Sequence, residues 1–308
     1  MNSSFIIIVT YNGMPWIEKC LKSCGDYQVV VVDNASSDET VSFIKGKFPK
    51  VQILHQTKNL GFGQANNTGI VWALQQGAEH FFLLNQDAYL IDDCLQKLIT
   101  FQKANPAYGI VSPIHITANQ KKLDKNFSSY LTSQYNSDFY SDYVLKQPLK
   151  PVYPVPFVNA AAWLLSEEII NTVGGFDPLF FHYGEDDNYC QRVTYHNFKI
   201  GILPECFIIH DRVDREAAVI DLFSEAYYNQ QERSCKVKYA NINDPMGLNN
   251  LKGVIDGLKK RLLKLKLKGK FGKLAPLKKE MELYEKIEPQ IKKSRDLNAK
   301  KGQTHLQI

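Results

Sequence analysis

The chain has 308 residues and a formal net charge of +5, and 44% of its residues are hydrophobic and 12% aromatic. This composition is typical of a soluble globular protein and excludes wholesale disorder. The length is sufficient for one large α/β domain with a smaller appendage, or for two modest domains.

Charge is distributed unevenly along the chain. Residues 251–308 contain 17 Lys or Arg and 6 Asp or Glu, whereas residues 1–250 contain 20 and 26. An acidic body with a basic tail indicates that the tail meets an anionic partner. The body itself does not have the charge of a nucleic-acid binder.

Two features bear on location. The apolar run at residues 5–9 is far too short for a signal peptide, and no other apolar stretch approaches the roughly 20 residues of a membrane span. The six cysteines form no Cys-x-x-Cys pair, which argues against a zinc or redox site and favours reduced, buried thiols. We therefore expect a cytoplasmic protein.

Strands and helices alternate over the first hundred residues. Short β-branched and aromatic runs without period-two alternation predict strands that are buried on both faces. This order predicts a mostly parallel, twisted sheet with helices on both faces. The predicted strands are residues 5–9, 28–33, 51–54 and 81–84, and the predicted helices are residues 15–24, 36–47 and 63–74.

The remainder of the chain is less regular. Residues 119–156, rich in Tyr, Ser, Asn, Lys and Pro, are expected to form loops and edge strands around a site. From Leu251 onward, apolar residues recur at helical spacing with lysines between them. We expect one domain over residues 1–215 and a basic helical region over residues 216–308. Between these segments we predict an apolar core run at 157–165, a turn at 174–177, a helix at 186–197 and strands at 201–203 and 206–210.

Polar side chains follow three of the predicted strands at their carboxyl ends. In parallel sheets, ligands bind outside these ends. One crevice is therefore expected to be lined by Thr10, Tyr11, Asn12, Asp33, Asn34, Asn85 and Asp87.

Asp33 and Asp87 are the carboxylates of this crevice. Asp33 can accept hydrogen bonds from a nucleotide base or a ribose hydroxyl, although the Asp-Asn and Ser-Ser pairs here are also ordinary turn formers. Asp87 ends an apolar strand, where a charge is costly to bury without a partner. A Mg²⁺ or Mn²⁺ ion bridging two phosphates would be such a partner. The alternative, a helix N-cap, suits Asp92 or Asp93 better.

Two other groups carry potential chemistry. Glu185, Asp186 and Asp187 precede a predicted helix, where favourable first-turn charge explains one or two of them. Grouped carboxylates beside aromatic side chains also raise one another's pKa, as a general base requires. His210 ends an apolar strand and is either a core histidine or, together with Asp87, a metal ligand.

The order of short motifs resembles the family 2 glycosyltransferases, and most closely their bacterial rhamnosyltransferase-like branch. The resemblance covers about residues 4–215, and it rests on seven motifs that are individually weak but stand in family order. They are Ile-Val-Thr-Tyr-Asn (8–12), Val-Asp-Asn-Ala-Ser-Ser-Asp (32–38), Asn-Leu-Gly-Phe-Gly (59–63) with Asn66, Leu-Asn-Gln-Asp (84–87), Gly-Phe-Asp-Pro (175–178), Phe-His-Tyr-Gly-Glu-Asp (181–186) and Cys-Gln-Arg (190–192).

This resemblance implies a GT-A-type nucleotide-sugar-binding fold and an inverting reaction that depends on Mn²⁺ or Mg²⁺. By motif match, Asp87 and His210 would hold the metal. Asp186, beside Glu185, would deprotonate the acceptor hydroxyl, with Asp187 as the alternative base. The donor would be bound by Thr10, Tyr11, Asn12, Asp33, Asn34, Asn59, Gly61, Asn66 and Asn85, the last of which begins a DxD-like triplet.

The expected function is transfer of a sugar, with rhamnose as a candidate, from a dTDP- or UDP-linked donor to a saccharide hydroxyl in cell-surface polysaccharide biosynthesis. Trp163 and Glu185 are expected to contact the acceptor. A non-catalytic nucleotide-sugar binding module is one alternative, although it would not need the Glu185–Asp186 cluster. A nucleotidyltransferase is another, although no glycine-rich basic loop follows the first strand.

The basic tail has two leading interpretations. Its apolar stripe could pack on the catalytic domain, or a basic amphipathic helix could lie on an anionic membrane. The second suits a lipid-linked oligosaccharide acceptor at the inner face of the cell membrane. Nucleic acid is not an expected partner, because the tail offers only Phe271 and Tyr284 for stacking.

Overall fold

This computed structural model describes residues 3–212 and 220–306. A nine-stranded mixed sheet forms the centre of the fold. Its strands are β1 (Ser4–Thr10), β2 (Gln28–Asp33), β3 (Gln52–His55), β4 (His80–Asn85), β5 (Ala88–Leu90), β6 (Tyr108–Ile116), β7 (Tyr153–Pro154), β8 (Ala162–Ser166) and β9 (Lys199–His210). The helices are α1 (Ile17–Ser23), α2 (Thr40–Lys47), α3 (Phe62–Gln75), α4 (Cys94–Ala104), α5 (Lys125–Ser128), α6 (Ser137–Val144), α7 (Glu167–Val173), α8 (Glu185–Tyr195), α9 (Glu225–Tyr239), α10 (Gly247–Leu267) and α11 (Leu274–Asn298).

The sheet has a parallel half and a mixed half. The strand order is β3-β2-β1-β4-β8-β6-β9-β5, with β7 on the side of β9. Strands β3, β2, β1 and β4 are mutually parallel, β8 runs antiparallel to both β4 and β6, and β6 is parallel to β9. The predicted α/β class with a large, mostly parallel sheet is confirmed.

Both faces of the central strands are covered by apolar side chains. Phe5 and Ile7 of β1 belong to one buried cluster, whereas Ile6 and Ile8 belong to the cluster on the opposite face. This explains the absence of period-two alternation in the sequence, because neither face of these strands meets water.

Several element boundaries differ from prediction. Strand β6 was not predicted, since Pro113 and polar residues interrupt its apolar pattern. The two strands predicted at 201–203 and 206–210 form the single strand β9, whose pairing with β6 shifts register after Pro113. Helix α2 begins at Thr40 rather than at residues 36 or 37. Ser36 instead accepts a hydrogen bond from the Asn12 amide (2.9 Å), which ties the end of β1 to the end of β2.

Helices α9, α10 and α11 share a buried cluster that also includes Phe180 from the loop before α8. The predicted boundary between residues 215 and 216 lies outside the described residues. No helix within residues 3–212 and 220–306 is long and apolar enough to span a membrane. All six cysteines are buried free thiols, as predicted.

Residues 302–306, hereafter the strap, lie against the turn that follows α7. The Gly175 amide donates to the Thr304 carbonyl (2.8 Å), and the Gly302 amide donates to the Thr172 carbonyl (3.0 Å). The Asn67 side chain in α3 donates to the His305 carbonyl (3.3 Å). The strap therefore joins α3 to the segment that leads into α8.

The Arg192 side chain of α8 also binds the turn that follows α7. Its guanidinium is fully buried and donates to the Val173 carbonyl, the Gly175 carbonyl (2.6 Å) and the Thr304 hydroxyl (3.2 Å). A cation at this point also complements the negative carboxyl end of α7. Arg192 thus fixes how the chain leaves α7 and approaches α8.

We expect Arg192→Met to lower the free energy of unfolding by about 2 kcal/mol or more, because the buried Gly175 carbonyl loses its side-chain donor and the Val173 carbonyl keeps only the Thr304 hydroxyl. Urea denaturation followed by circular dichroism measures the loss. The matched control is Arg261→Met at an exposed position of α10, which should change the unfolding free energy little. Equal effects of the two substitutions would contradict this role of Arg192.

Candidate active site

A cavity of 410 Å³ opens at the carboxyl ends of β1, β2 and β4, and we call it the donor cavity. Parallel strands bring these polar ends together, as the sequence predicted. The walls are formed by Val9, Tyr11, Asn34, Asn59, Gly61, Phe62, Asn85, Gln86, Asp87, Phe181 and His182. Five of the predicted donor-side residues (Tyr11, Asn34, Asn59, Gly61 and Asn85) and the predicted metal ligand Asp87 therefore line one cavity.

Asp87 faces His210 across the short antiparallel pair of β5 and β9. Ala88 pairs with His210 in this ladder, and the Asp87 backbone carbonyl accepts a hydrogen bond from the Asp211 backbone amide (2.7 Å). The His210 Nε2 consequently lies 3.6 Å from the Asp87 carboxylate. Two residues 123 positions apart in sequence are brought together by one strand pair.

Asp124 stands behind His210 and was missed in the sequence analysis. Its carboxylate lies 3.3 Å from His210 Nδ1 and forms a bidentate pair with Arg212, with both distances 2.8 Å. Burial opposes ionisation of Asp124, but His210, the Phe127 amide and Arg212 hold its pKa below the ordinary value. No apolar strand precedes Asp124, so it carried none of the signal that singled out Asp87.

His210 is buried between these two carboxylates. Burial disfavours its charged form, but Asp124 and Asp87 outweigh this effect and raise the pKa of His210. Nδ1 of the ring faces Asp124 and Nε2 faces Asp87, and a carboxylate behind the ring is common at metal-binding histidines.

The side chains here suit a divalent cation that takes its remaining ligands from a phosphorylated molecule. Asp87 offers a carboxylate, His210 an imidazole nitrogen, and Asn85 a buried Oδ1 with no hydrogen-bond partner. Within residues 3–212 and 220–306, no three His, Cys, Asp or Glu side chains group closely enough to hold an ion. Mn²⁺ and Mg²⁺ suit such a site because they readily take further oxygen ligands from phosphates and water.

Asp33 is fully buried at the end of β2. One oxygen contacts His55 Nδ1 (2.7 Å) and accepts from the Ser36 amide (3.2 Å), while Oδ1 has no partner. An unpartnered buried acceptor is costly, but Asp33 does not line the donor cavity, unlike its neighbour Asn34. His55 was not predicted as a site residue.

Asn34 and Asn59 hold the loop that closes this side of the cavity. The Asn34 side-chain Nδ2 donates to Asn59 Oδ1 (2.9 Å), and Asn34 Oδ1 accepts from the Leu60 backbone amide (2.7 Å). Gly61 follows with φ of 78°, and a Cβ there would lie 2.0 Å from the Phe181 carbonyl. Only glycine meets both the conformational and the steric requirement.

Gln86 organises the end of β1, a role that the sequence analysis did not assign. Its Oε1 accepts from the Thr10 hydroxyl (2.6 Å) and from the Tyr11 amide (3.0 Å). Asn12 is engaged with Ser36 and Ser37. Thr10 and Asn12 are thus framework residues beside the cavity, whereas Tyr11 is half exposed within it.

A second cavity of 560 Å³ lies beside the first, and we call it the acid cavity. Residues 181–184 run between the two, with Phe181 and His182 in the donor cavity and Tyr183 and Gly184 in the acid cavity. Its walls include Asn126, Tyr130, Phe157, Asn159, Asp186, Asp187, Gln191, Arg233, Ser234, Val237 and Lys238.

The acidic cluster at the start of α8 has raised pKa values. Burial and the neighbouring Asp186 carboxylate raise the pKa of Glu185 to about 7. Burial and Asp187 raise the pKa of Asp186 to about 6. Asp187 is shifted the same way by burial, with Arg233 opposing the shift. Asp186 therefore combines a pKa near neutrality with a place in the cavity wall, while Glu185 lies beneath the surface.

Helix α9 forms one wall of the acid cavity, which the predicted domain division did not anticipate. Arg233 lies over the Tyr183 ring at 5.2 Å. Gly184 has φ of 93°, and a Cβ there would lie 2.7 Å from Val237 of α9. The helical region thus contacts the turn that begins α8 and carries the acidic cluster.

Two predicted site residues lie elsewhere. The Trp163 indole is fully buried in β8, where it stacks on Phe176 (6.1 Å between ring centroids). Its predicted contact with an acceptor is therefore wrong in this structure, because the aromatic side chain completes the core. Asn66 is buried within α3 and donates to the Phe62 carbonyl (3.0 Å), so it does not line the donor cavity.

Comparison with known proteins gives several relatives of low identity. The chain is 26% identical over 214 residues to a hexosyltransferase of low-salt glycan biosynthesis, Agl10 of Haloferax volcanii, covering 67% of this chain and 66% of that protein. It is 24% identical over 224 residues to the dTDP-rhamnosyl transferase RfbF of Shigella flexneri, covering 71% and 73%. The chain thus spans about two thirds to three quarters of these relatives.

Solved structures share the fold. GalNAc-T7, crystallised with UDP, GalNAc and Mn²⁺, matches with a TM-score of 0.54 at 14% identity, covering 75% of this chain and 48% of that chain. TarS of S. aureus matches with a TM-score of 0.51 at 16% identity, covering 77% and 40%. These similarities support the GT-A-type architecture of the sheet.

The sequence profile described as Glycosyl transferase family 2 matches residues 5–173, which include every strand end that lines the donor cavity. This match spans more than half of the chain. The protein belongs to glycosyl transferase family 2.

Proposed function

We propose that this protein is an inverting, metal-dependent glycosyltransferase that moves a sugar from a nucleotide-diphosphate donor to a saccharide hydroxyl. The observation that carries the proposal is the pair of adjacent cavities on either side of residues 181–184. One presents Asp87 and His210, which suit a cation on a diphosphate, and the other presents Asp186, which suits a general base.

The donor would enter at the strand ends. Tyr11, half exposed in the cavity, offers a ring on which a nucleotide base can stack. The Oδ1 of Asp33 has no hydrogen-bond partner but is fully buried, so a bond to a base N–H or a ribose hydroxyl would need the end of β2 to open. When bound, Mn²⁺ or Mg²⁺ offsets the negative charge on the leaving diphosphate, and Asp87 and His210 are the side chains that would hold it.

Asp186 would accept the proton of the incoming hydroxyl. A base on the side of the sugar opposite the diphosphate is what a single displacement with inversion needs, and the separation of the two cavities supports that arrangement. General-base action contributes about 10²- to 10⁴-fold to a rate. A simple nucleotide-sugar binding module would have no use for a half-buried carboxylate with a raised pKa in a second cavity.

The finer substrate assignment rests on the relatives. Relatives named as rhamnosyltransferases, including one that acts on an N-acetylglucosaminyl-diphospho-decaprenol acceptor, support a dTDP-linked donor with rhamnose as its sugar, and a UDP-linked donor is the alternative. The decaprenol-linked acceptor of one relative supports a lipid-linked acceptor here. We further propose that transfer takes place at the cytoplasmic face of the cell membrane, in cell-surface polysaccharide biosynthesis.

Asp186→Asn is expected to reduce transfer by at least about 100-fold, because asparagine cannot take the proton. Binding of a nucleotide-sugar with Mn²⁺, measured by calorimetry, should stay near the parent value. Asp187→Asn is the matched control and should retain most of the transfer rate. Loss of activity in Asp187→Asn with activity kept in Asp186→Asn would reverse the assignment.

Folding of the Asp186→Asn variant can be checked independently. The folded state binds a proton at Asp186 more tightly than the unfolded chain does, since the pKa rises from 3.8 to about 6. The free energy of unfolding therefore falls as the pH rises from 3.8 to about 6, and the variant with a neutral Asn at this position does not show this decrease. Its midpoint of thermal unfolding above pH 7 should equal or exceed that of the parent.

The transfer rate is expected to depend on pH through Asp186. Because the ionised form is the base, kcat/KM should fall as the pH drops through about 6 and level off above it. Asp187→Asn removes a like charge that raises this pKa, so its acid limb should move to lower pH. An unmoved acid limb in that variant would argue against Asp186 as the titrating group.

Removal of the cation is expected to stop transfer. EDTA should abolish activity, and added Mn²⁺ or Mg²⁺ should restore it. Asp87→Ala should weaken Mn²⁺-dependent nucleotide binding by about 100-fold or more, beyond what loss of an outer partner typically costs. Asp92→Ala, at an exposed position nearby, should bind normally. Full activity in EDTA would refute the metal requirement.

A further inference from the structure

The three C-terminal helices share one end where α9 begins, α10 ends and α11 begins. The Tyr228 hydroxyl near the start of α9 donates to the Pro276 carbonyl near the start of α11 (3.1 Å). The Lys279 ammonium lies 4.3 Å from the Tyr228 ring centroid. These contacts join the beginning of α9 to the hairpin between α10 and α11.

Large apolar side chains protrude at this end. Leu267 is 81% exposed, Leu222 75%, Phe271 68%, Leu263 60% and Phe223 49%. Most of the remaining apolar stripe of α10 is covered, since Leu251 and Ile255 lie in the buried cluster of the three helices and Leu262 is also buried, whereas Val254 is 37% exposed. Exposure is therefore concentrated where α10 runs out, and a group of protruding apolar side chains is typical of a surface that meets another apolar phase.

The same end is predominantly basic, with Asp221 and Glu225 as its acidic residues beside the start of α9. Residues 259–279 contain ten Lys or Arg and no Asp or Glu. Lys259 and Lys278 form ion pairs with Glu285 and Glu282. Within residues 220–306, no ion pair engages the lysines that surround the apolar tip, which are Lys264, Lys266, Lys268 and Lys270.

We propose that this end of the helical region, formed by residues 220–223 and 263–271, is a docking face for an anionic lipid bilayer. The apolar side chains would enter the boundary between headgroups and acyl chains, and the four exposed lysines would lie at the level of the lipid phosphates. Charge complementarity selects an anionic bilayer, and the protruding leucines and phenylalanines distinguish a bilayer from a purely polar anionic partner.

The docking face is close to the acid cavity along α9. Helix α9 begins at Glu225, just after residues 220–223, and Arg233, eight residues later, lines the cavity. At about 1.5 Å per residue this separation is roughly 12 Å along the helix axis. Docking would therefore bring a membrane-anchored acceptor near Asp186. This last step rests on the proposed function, whereas membrane binding does not.

Co-sedimentation of the full chain with vesicles tests the docking face. Phosphatidylcholine vesicles are compared with vesicles of phosphatidylcholine and phosphatidylglycerol in equal parts, at low and high salt. We expect binding to the anionic vesicles alone, weakened by salt. Binding to neither type, or equal binding to both, would overturn the proposal.

Two triple variants separate charge from apolar insertion. Reversal of charge in Lys266→Glu, Lys268→Glu and Lys270→Glu should weaken binding by about 100-fold or more. The matched control reverses three exposed lysines near the other end of α11 (Lys292→Glu, Lys293→Glu and Lys300→Glu) and should bind nearly as the parent does. Equal losses in the two variants would show that only net charge matters and would overturn the docking face.

Leu263→Gln, Leu267→Gln and Phe271→Gln together should weaken vesicle binding by about tenfold or more. Unchanged vesicle binding would overturn the proposal in favour of a polar anionic partner. The same conclusion would follow if the protein bound a DNA duplex more tightly than vesicles through the same lysines.

Phe271→Trp should give blue-shifted tryptophan emission with anionic vesicles, and unshifted emission would contradict insertion.

The outcomes for docking and for transfer can be told apart. Vesicle binding is measured without any donor or acceptor, so a failed transfer assay leaves it unaffected. If transfer occurs, the docking variants should keep the parent rate toward a water-soluble saccharide acceptor and lose rate only toward a lipid-linked acceptor in anionic vesicles.

Discussion

Carboxylates that lie close together away from water must either gain a cationic partner or hold their protons more tightly. The donor cavity shows the first arrangement and the acid cavity the second. On the donor side, His210 and Arg212 accompany Asp87 and Asp124. On the other side, the residues at the start of α8 have little compensation, and the pKa of Asp186 rises to about 6. One cavity therefore pairs its carboxylates with cationic side chains, whereas the other holds a carboxylate whose pKa lies near neutrality.

That division depends on backbone geometry more than on the acidic residues themselves. The pairing of β5 with β9 brings His210 to Asp87, and the turn at Gly184 aims α8 at the second cavity. Arg192 and the strap hold the turn that follows α7, and Val237 of α9 lies against Gly184 at the start of α8. The helical region is consequently part of the architecture of the site.

The sequence predicted the parallel half of the sheet well, because strands buried on both faces have an unbroken apolar pattern. It also placed Asp87 and Asn85 correctly at the cavity, since both follow such a strand. Asp124 was missed because it stands in an irregular, polar segment whose position depends on long-range contacts with His210 and Arg212. Trp163 was misassigned because an aromatic residue near a site has the same sequence signal whether it faces a ligand or the core.

The strap has a consequence for the order in which the protein forms. Asn67 in α3 bonds to His305, a contact that spans 238 residues, and Arg192 bonds to Thr304. Contacts so distant in sequence form late, because the loop between them must close first. During synthesis, the strands that line the donor cavity emerge long before the segment that secures the turn ahead of α8. The nascent chain therefore carries an incomplete site until residues 302–306 have left the ribosome.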